Sequence, residues 1–354
     1  MAMTSDNRIT SLLGIEIPLI QAPMAGSAFG DMVAAVSEAG GLGSLACASL
    51  NAQQLRDELT TIRTLTSKPI NVNFFCHVNA VFDEAKEMAW RKKLESYYIE
   101  FGIDPHGPIP SSSRNPFDEA SCQMVEEFSP EVVSFHFGLP PADLLARVKA
   151  TGAKILSSAT TVAEAIWLEE RGCDAIIAQG VEAGGHRGIF LSEDISSQVG
   201  TIALVPQIAD AVKVPVIAAG GISDARGIRA AFALGASAAQ LGTAYLFTPE
   251  ARISAPYRQA LKNTHDDQTV LTNLFTGRPA RGIINRLIRE VGPISAMAPQ
   301  FPLAGGAVLP LKGVLEKQGS GDFSSLWSGQ AARLCRDMPA GELTRQLAKE
   351  SGLL

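Results

Sequence analysis

Cysteine is scarce and scattered in this chain. Its five cysteines, Cys47, Cys76, Cys122, Cys173 and Cys335, stand far apart, odd in number and without a Cys-x-x-Cys pair. That argues against a disulfide framework and against structural zinc, so no metal is expected. Long hydrophobic runs are also missing: none approaches the roughly 18 residues of a membrane span. Met1 to Thr10 show no basic start followed by an apolar stretch, so the expected location is cytoplasmic. Nor is there a basic tract. Lys and Arg number 30 against 36 Asp and Glu, for a net charge of −6 and a pI near 5.5. This balance disfavours a nucleic-acid partner and favours small-molecule chemistry. Finally, no Gly-x-Gly-x-x-Gly follows the first strand-like run, which removes the usual opening of a dinucleotide-binding fold.

What is present is a regular alternation. The 354 residues, 46% hydrophobic, can bury a large core. Short apolar runs alternate with amphipathic helical patterns eight times between Pro18 and about Asn263. The strand candidates are 19–22, 43–46, 70–75, 132–135, 154–157, 175–178, 216–219 and 238–241. Most are continuously apolar, as buried parallel strands require. Helical stretches at 31–39, 52–65, 142–151, 161–171, 202–212 and 224–234 lie between them, several ending in glycine, at Gly40, Gly152, Gly172 and Gly235. Eight βα units predict a TIM (β/α)8 barrel.

Two regions break the repeat. Residues 77–128 separate strands three and four by more than one helix needs, and contain a helical run at 83–101. They are read as a helical insertion. Beyond about Thr264, prolines at 293, 299, 302 and 310 break up helical segments. The expected layout is a cofactor-binding barrel of 1–76 and 129–263, a substrate-covering region of 77–128 and 264–310, and carboxy-terminal helices of 311–354 packed on the barrel.

Ligands of such a barrel sit at the carboxy ends of its strands. The residues there are polar or glycine-rich: Pro23-Met24 after strand one, Asn71 and Asn73 in strand three, His136 after strand four, Gly220-Gly221 after strand seven, and Gln240-Leu241-Gly242-Thr243 at strand eight. Strand six runs into Gln179-Gly-Val-Glu-Ala-Gly-Gly-His-Arg-Gly188. That loop places an imidazole, His186, among glycines that permit positive φ and close backbone approach to a ligand. Glycines after strands seven and eight suit a phosphate. A phosphate-anchored cofactor in a barrel without a dinucleotide fingerprint points to FMN.

Several of these pieces coincide with a known family. Gln21-Ala-Pro-Met-Ala-Gly26, Asn71-Val-Asn-Phe-Phe75, Ser134-Phe-His-Phe-Gly138, Gln179 to Gly188, Gly220-Gly-Ile222, Gln240-Leu-Gly-Thr243 and Leu326-Trp-Ser-Gly-Gln330 give the chain a resemblance to the nitronate monooxygenases, formerly 2-nitropropane dioxygenases. The class it resembles carries the Gln-Gly-x-Glu-Ala-Gly-Gly-His-x-Gly loop. The resemblance implies FMN-dependent oxidation of alkyl nitronates by O2 to a carbonyl compound and nitrite. Propionate 3-nitronate is the expected substrate, with nitroalkanes also admitted.

By matching, the flavin contacts fall on Met24, Asn73, Gln179, Gly184, Gly221, Gln240, Gly242 and Thr243; Gly185, Gly220 and Leu241 are assigned to the same cofactor. The catalytic histidine falls on His186, a general base when a neutral nitroalkane binds. His136 is assigned to orienting substrate, the alternative being a hydrogen-bonded core histidine. Because the family places tyrosines near its substrate from both the insertion helix and the carboxy-terminal part, Tyr97 and Tyr98 of the insertion are assigned there too. Relatives often carry tyrosine where this chain has Phe301. A monomer or homodimer is expected. Two rival readings stand beside this one: an NAD(P)H-dependent flavin barrel reductase, of enoyl-ACP reductase or quinone reductase type, and a non-catalytic flavin-binding barrel.

Overall fold

The computed structural model describes residues 7–110 and 114–354. Eight parallel strands form its centre: β1 (Leu19–Gln21), β2 (Gly43–Ala46), β3 (Ile70–Phe75), β4 (Val132–His136), β5 (Lys154–Ala159), β6 (Ala175–Gln179) and, after the two-residue β7 (Gly185–His186), β8 (Val216–Ala219) and β9 (Ala238–Leu241). The order is β1-β9-β8-β6-β5-β4-β3-β2. A parallel bridge between Ile20 and Leu42, with the Gln21 amide donating to the Leu42 carbonyl at 3.0 Å, joins β1 to the start of β2 and closes the cylinder. The predicted barrel is what forms.

Burial on both faces accounts for the apolar runs. Every residue of β1, β2, β3, β6 and β8 is buried. Successive side chains of a strand alternate between the two faces. Ile20, Leu156, Ile177 and Ile217 thus join a cluster that also takes in Ile9 and Leu13 of the helix Arg8–Leu13. Leu19, Ile155, Ile176 and Ala218 face the layer of surrounding helices. The four predicted helix-ending glycines adopt φ of +93° (Gly40), +89° (Gly152), +80° (Gly172) and +96° (Gly235), the left-handed conformation that a C-terminal cap asks for.

Two features differ from the expected layout, and a third gives the expected carboxy-terminal packing its place. The helix Glu119–Phe128 packs against the helices Ala52–Leu65 and Ala142–Ala150, so it is the regular barrel helix between β3 and β4. Only the helix Glu84–Glu100 is extra. The eighth position of the outer ring is filled from far away. The helix Ala340–Ser351 packs against Gly30–Glu38 and Ala225–Ala233, where Leu343 and Leu347 are fully buried. The segment after Thr264 is not only helical. It supplies β10 (Thr269–Thr272) and β11 (Ala280–Ile283), which form an antiparallel sheet with β7 in the order β10-β11-β7.

The extra helix and the carboxy-terminal region share a second core. Trp90, Leu94, Tyr97 and Tyr98 pack against Leu274, Phe275, Leu287, Leu311 and Phe323. The Trp90 indole donates to the Ala304 carbonyl at 3.0 Å and the Tyr98 hydroxyl to that of Ala307 at 2.6 Å, each bond contributing on the order of 1 kcal/mol. Among the described residues no helix is long and apolar enough to cross a membrane.

Candidate active site

One cavity opens at the carboxy ends of the strands, with about 1290 Å³ of empty space including its mouth. Each of the six strand ends named from the sequence contributes, although Asn71 itself is buried away from the cavity on Ser44 and Ser134. Met24 follows β1, Asn73 lies in β3, His136 ends β4, Gln179 ends β6, Gly220 and Gly221 follow β8, and Gln240, Gly242 and Thr243 come from β9 and its exit. Gly184, Gly185 and His186 line it from the loop after β6. Leu241 does not. Its side chain is fully buried in the layer between strands and helices, because alternation along β9 turns it away from the side that Gln240 faces.

The loop carrying His186 is tied on all sides. The Gln179 side chain donates through Nε2 to the His186 carbonyl at 3.0 Å and accepts from the Gly188 amide through Oε1 at 2.7 Å. Arg187, fully buried, donates to the carbonyls of Gly180 and Gln179 at 2.7 Å each and to Gln198 Oε1 at 2.8 Å. Burial pushes its guanidinium down to about 10, where it is still a cation at neutral pH. Pairing of β7 with β11 sets His186 opposite Ala280. Glu182 accepts from the Thr201 amide at 2.9 Å, placing a carboxylate at the start of the helix Thr201–Ala211, where the helix dipole favours it.

His186 itself is enclosed by aromatic rings: Phe75 (centroids 6.1 Å apart), Phe137 (6.1 Å), Phe301 (5.3 Å) and Trp327 (5.5 Å). Its Nε2 lies 3.0 Å from Thr276 Oγ1. Burial, then the nearby Arg114, His136, Arg278 and His77, hold its pKa well below 6.5, since a desolvated site beside cations disfavours another positive charge. The ring is therefore neutral near pH 7 and can accept a proton.

His136 lies on the cavity wall with both ring nitrogens engaged. Nδ1 meets Ser158 Oγ at 2.5 Å and Nε2 meets the His186 carbonyl at 3.2 Å. Burial pushes its pKa down to about 3. This geometry makes it a brace for the His186 loop. Tyr97 and Tyr98, assigned to substrate from the sequence, are not on the cavity. They are spent in the second core, Tyr97 against Phe323 at 5.0 Å and Tyr98 on the Ala307 carbonyl. The tyrosine that does line the cavity is Tyr257, whose hydroxyl donates to the Trp327 carbonyl.

Several lining residues were not singled out in the sequence. Arg114 brings a cation to the wall; an isolated arginine after a serine run carries no signal of its own. Trp327, Gly329 and Ala331 arrive from the carboxy-terminal region, within and beside the Leu326 to Gln330 motif. Among the described residues that line the cavity there is no aspartate or glutamate.

The wall fits a phosphate-bearing cofactor on two counts. Gln240 Oε1 is buried there without a hydrogen-bond partner, and a buried acceptor left unpaired costs about 1–3 kcal/mol. The glycines leave a cradle that side chains would fill. Gly220 and Gly221 take φ of +114° and +69°, and a Cβ at Gly184 would come within 2.5 Å of the Gly329 nitrogen. Close by, the Gly329 amide donates to Thr243 Oγ1 at 2.9 Å.

Comparison with known proteins agrees with this geometry. The family model described as nitronate monooxygenase matches residues 6–350. A nitronate monooxygenase of Pseudomonas aeruginosa is 44% identical over 97% of this chain and 99% of its own. The crystal structure of nitroalkane oxidase from Streptomyces ansochromogenes superposes with a TM-score of 0.89 at 38% identity, covering 98% of each chain. The structure of FabK from Thermotoga maritima is more distant, with a TM-score of 0.75 at 28% identity over 97% of this chain and 95% of that one. On this evidence the chain belongs to the nitronate monooxygenase family, and its activity is the oxidation of nitronates.

Proposed function

We propose that the cavity holds FMN and that alkyl nitronates, propionate 3-nitronate among them, are oxidised there with O2 to a carbonyl compound and nitrite. Bound FMN would supply the electron acceptor and the reactivity toward oxygen. Gly220, Gly221, Gly242 and Thr243 would hold the phosphate end, and Gln240 Oε1 would take a donor of the cofactor. The single observation that carries this reading is the convergence of these strand-end residues and His186 on one cavity.

The lining charge supports an anionic substrate: Arg114 on the wall and no carboxylate among the described lining residues. Phe75, Phe301 and Trp327 pack around the imidazole and give it a largely apolar setting. When a neutral nitroalkane enters, His186 removes its α-proton as general base. The layout that goes with this is a barrel site covered by residues from the insertion and the carboxy-terminal segment.

The test is a purified preparation with a yellow flavin spectrum that releases FMN on denaturation. With propionate 3-nitronate it should produce nitrite and consume oxygen. Rapid anaerobic bleaching by NADH or NADPH, without nitrite formation, would instead favour the reductase alternative.

A further inference from the structure

Thr276 stands in the turn between β10 and β11 and is 1% exposed. Its hydroxyl oxygen lies 3.0 Å from His186 Nε2, 3.3 Å from the Arg278 carbonyl and 3.5 Å from the Arg278 amide nitrogen. A hydroxyl has one proton to donate and two lone pairs to offer. The Arg278 amide can only donate and the Arg278 carbonyl can only accept. The arrangement that satisfies every group sends the hydroxyl proton to the carbonyl, so Thr276 Oγ1 accepts from both the amide and the imidazole.

We propose that Thr276 is a positioning residue that fixes His186 as the Nε2–H tautomer, leaving the Nδ1 lone pair for the substrate. A neutral imidazole has one donor nitrogen and one acceptor nitrogen, and the bond made by one decides the role of the other. Among the described residues Nδ1 has no hydrogen-bond partner, while the ring lines the cavity.

This inference rests on the reading of His186 as a base toward neutral nitroalkanes. In that step the α C–H bond breaks, its electron pair becomes the C=N bond of the nitronate, and the proton forms the Nδ1–H bond. The resulting imidazolium keeps donating from Nε2 to Thr276, which relays to the Arg278 carbonyl dipole. That relay offsets part of the opposition from the groups facing the ring, Arg114, His136, Arg278 and His77.

The experiment uses full-length protein with 15N-labelled histidine, in wild type and in Thr276→Val and Thr276→Ser. Ring-nitrogen NMR near pH 7.5 should show His186, identified by its loss in His186→Asn, protonated at Nε2 and bare at Nδ1. The serine variant should keep that pattern and the valine variant should lose it. Turnover of nitroethane should fall roughly 10- to 100-fold in Thr276→Val and recover in Thr276→Ser. Oxidation of preformed ethylnitronate, which needs no proton removal, should change far less.

A wild-type His186 protonated at Nδ1 would overturn the proposal whether or not any variant folds. So would an unchanged tautomer and unchanged nitroethane turnover in Thr276→Val. The NMR arm needs no turnover, so a failure of the nitronate assay counts against the proposed function alone.

Discussion

Gln179 holds His186 by its backbone: one end of the amide donates to the His186 carbonyl while the other accepts from the amide of Gly188. The residue ends β6 and begins the loop, so a single side chain couples the rigid barrel to the segment that presents the imidazole. A side chain bound at both ends positions protein first and cofactor second.

Replacing Gln179 with Ala should therefore loosen the loop. The Gly188 amide loses its acceptor in a buried setting, which costs about 1–3 kcal/mol. Denaturant unfolding should show that loss. Nitronate turnover should fall on the order of 10-fold with FMN still bound, because misplacement of a reacting group is costly. Full activity at reduced stability would confine the residue to a structural part.

Acid should weaken this protein in a defined window. His136 is held at about 3 and His77 at about 4, and His186 also lies well below 6.5, burial being the first cause in each case. Between those values and 6.5 the unfolded chain binds protons that the folded chain refuses. Stability therefore rises with pH across the window, is fully present above about 6.5, and drains away below it. Urea midpoints measured from pH 5 to 8 should show that slope, and His77→Phe should reduce it.

Arg114 places its charge on the cavity wall, where an anionic substrate would feel it. Arg114→Ala should raise KM for propionate 3-nitronate about 10-fold with a smaller effect on kcat, since the lost attraction acts on bound substrate and transition state alike. Ethylnitronate, which lacks the carboxylate, should suffer less. Equal effects on both substrates would show that the arginine does not read the carboxylate.

Gly184→Ala probes the cradle. Its methyl group would sit 2.5 Å from the Gly329 nitrogen and 2.7 Å from the Ser328 carbonyl carbon, so backbone must shift. The flavin-to-protein ratio after gel filtration should drop, and the FMN dissociation constant should rise at least tenfold. A variant that keeps its full flavin complement would place the cofactor elsewhere in the cavity.

The barrel was legible because its strands are buried on both faces and therefore write themselves as apolar runs between glycine and proline. β2, β3, β8 and β9 have the predicted bounds, and the other four barrel strands differ at one end only. The site was legible for the same reason, since strand ends point at the ligand and polar residues there stand out. Thr243, Gln179 and Gly221 needed no tertiary information. Tyr257 and Arg114 did: nothing local distinguishes a tyrosine that lines a cavity from Tyr98, which packs under the Ala307 carbonyl. β7 is two residues long and exists only because β11 pairs with it, a contact made across almost a hundred positions. The helix 340–351 reads as amphipathic from its own residues, but its berth beside the first and seventh helices of the ring is set by the partners it finds.

That berth has a bearing on how the polypeptide is made. With the last gap in the ring reserved for residues 340–351, a ribosome must add more than a hundred residues after the helix Ala225–Ala233 before the cylinder is sheathed. Until then the flanks of the helices Gly30–Glu38 and Ala225–Ala233 stand bare, and the nascent protein depends on this late-emerging helix to shield them.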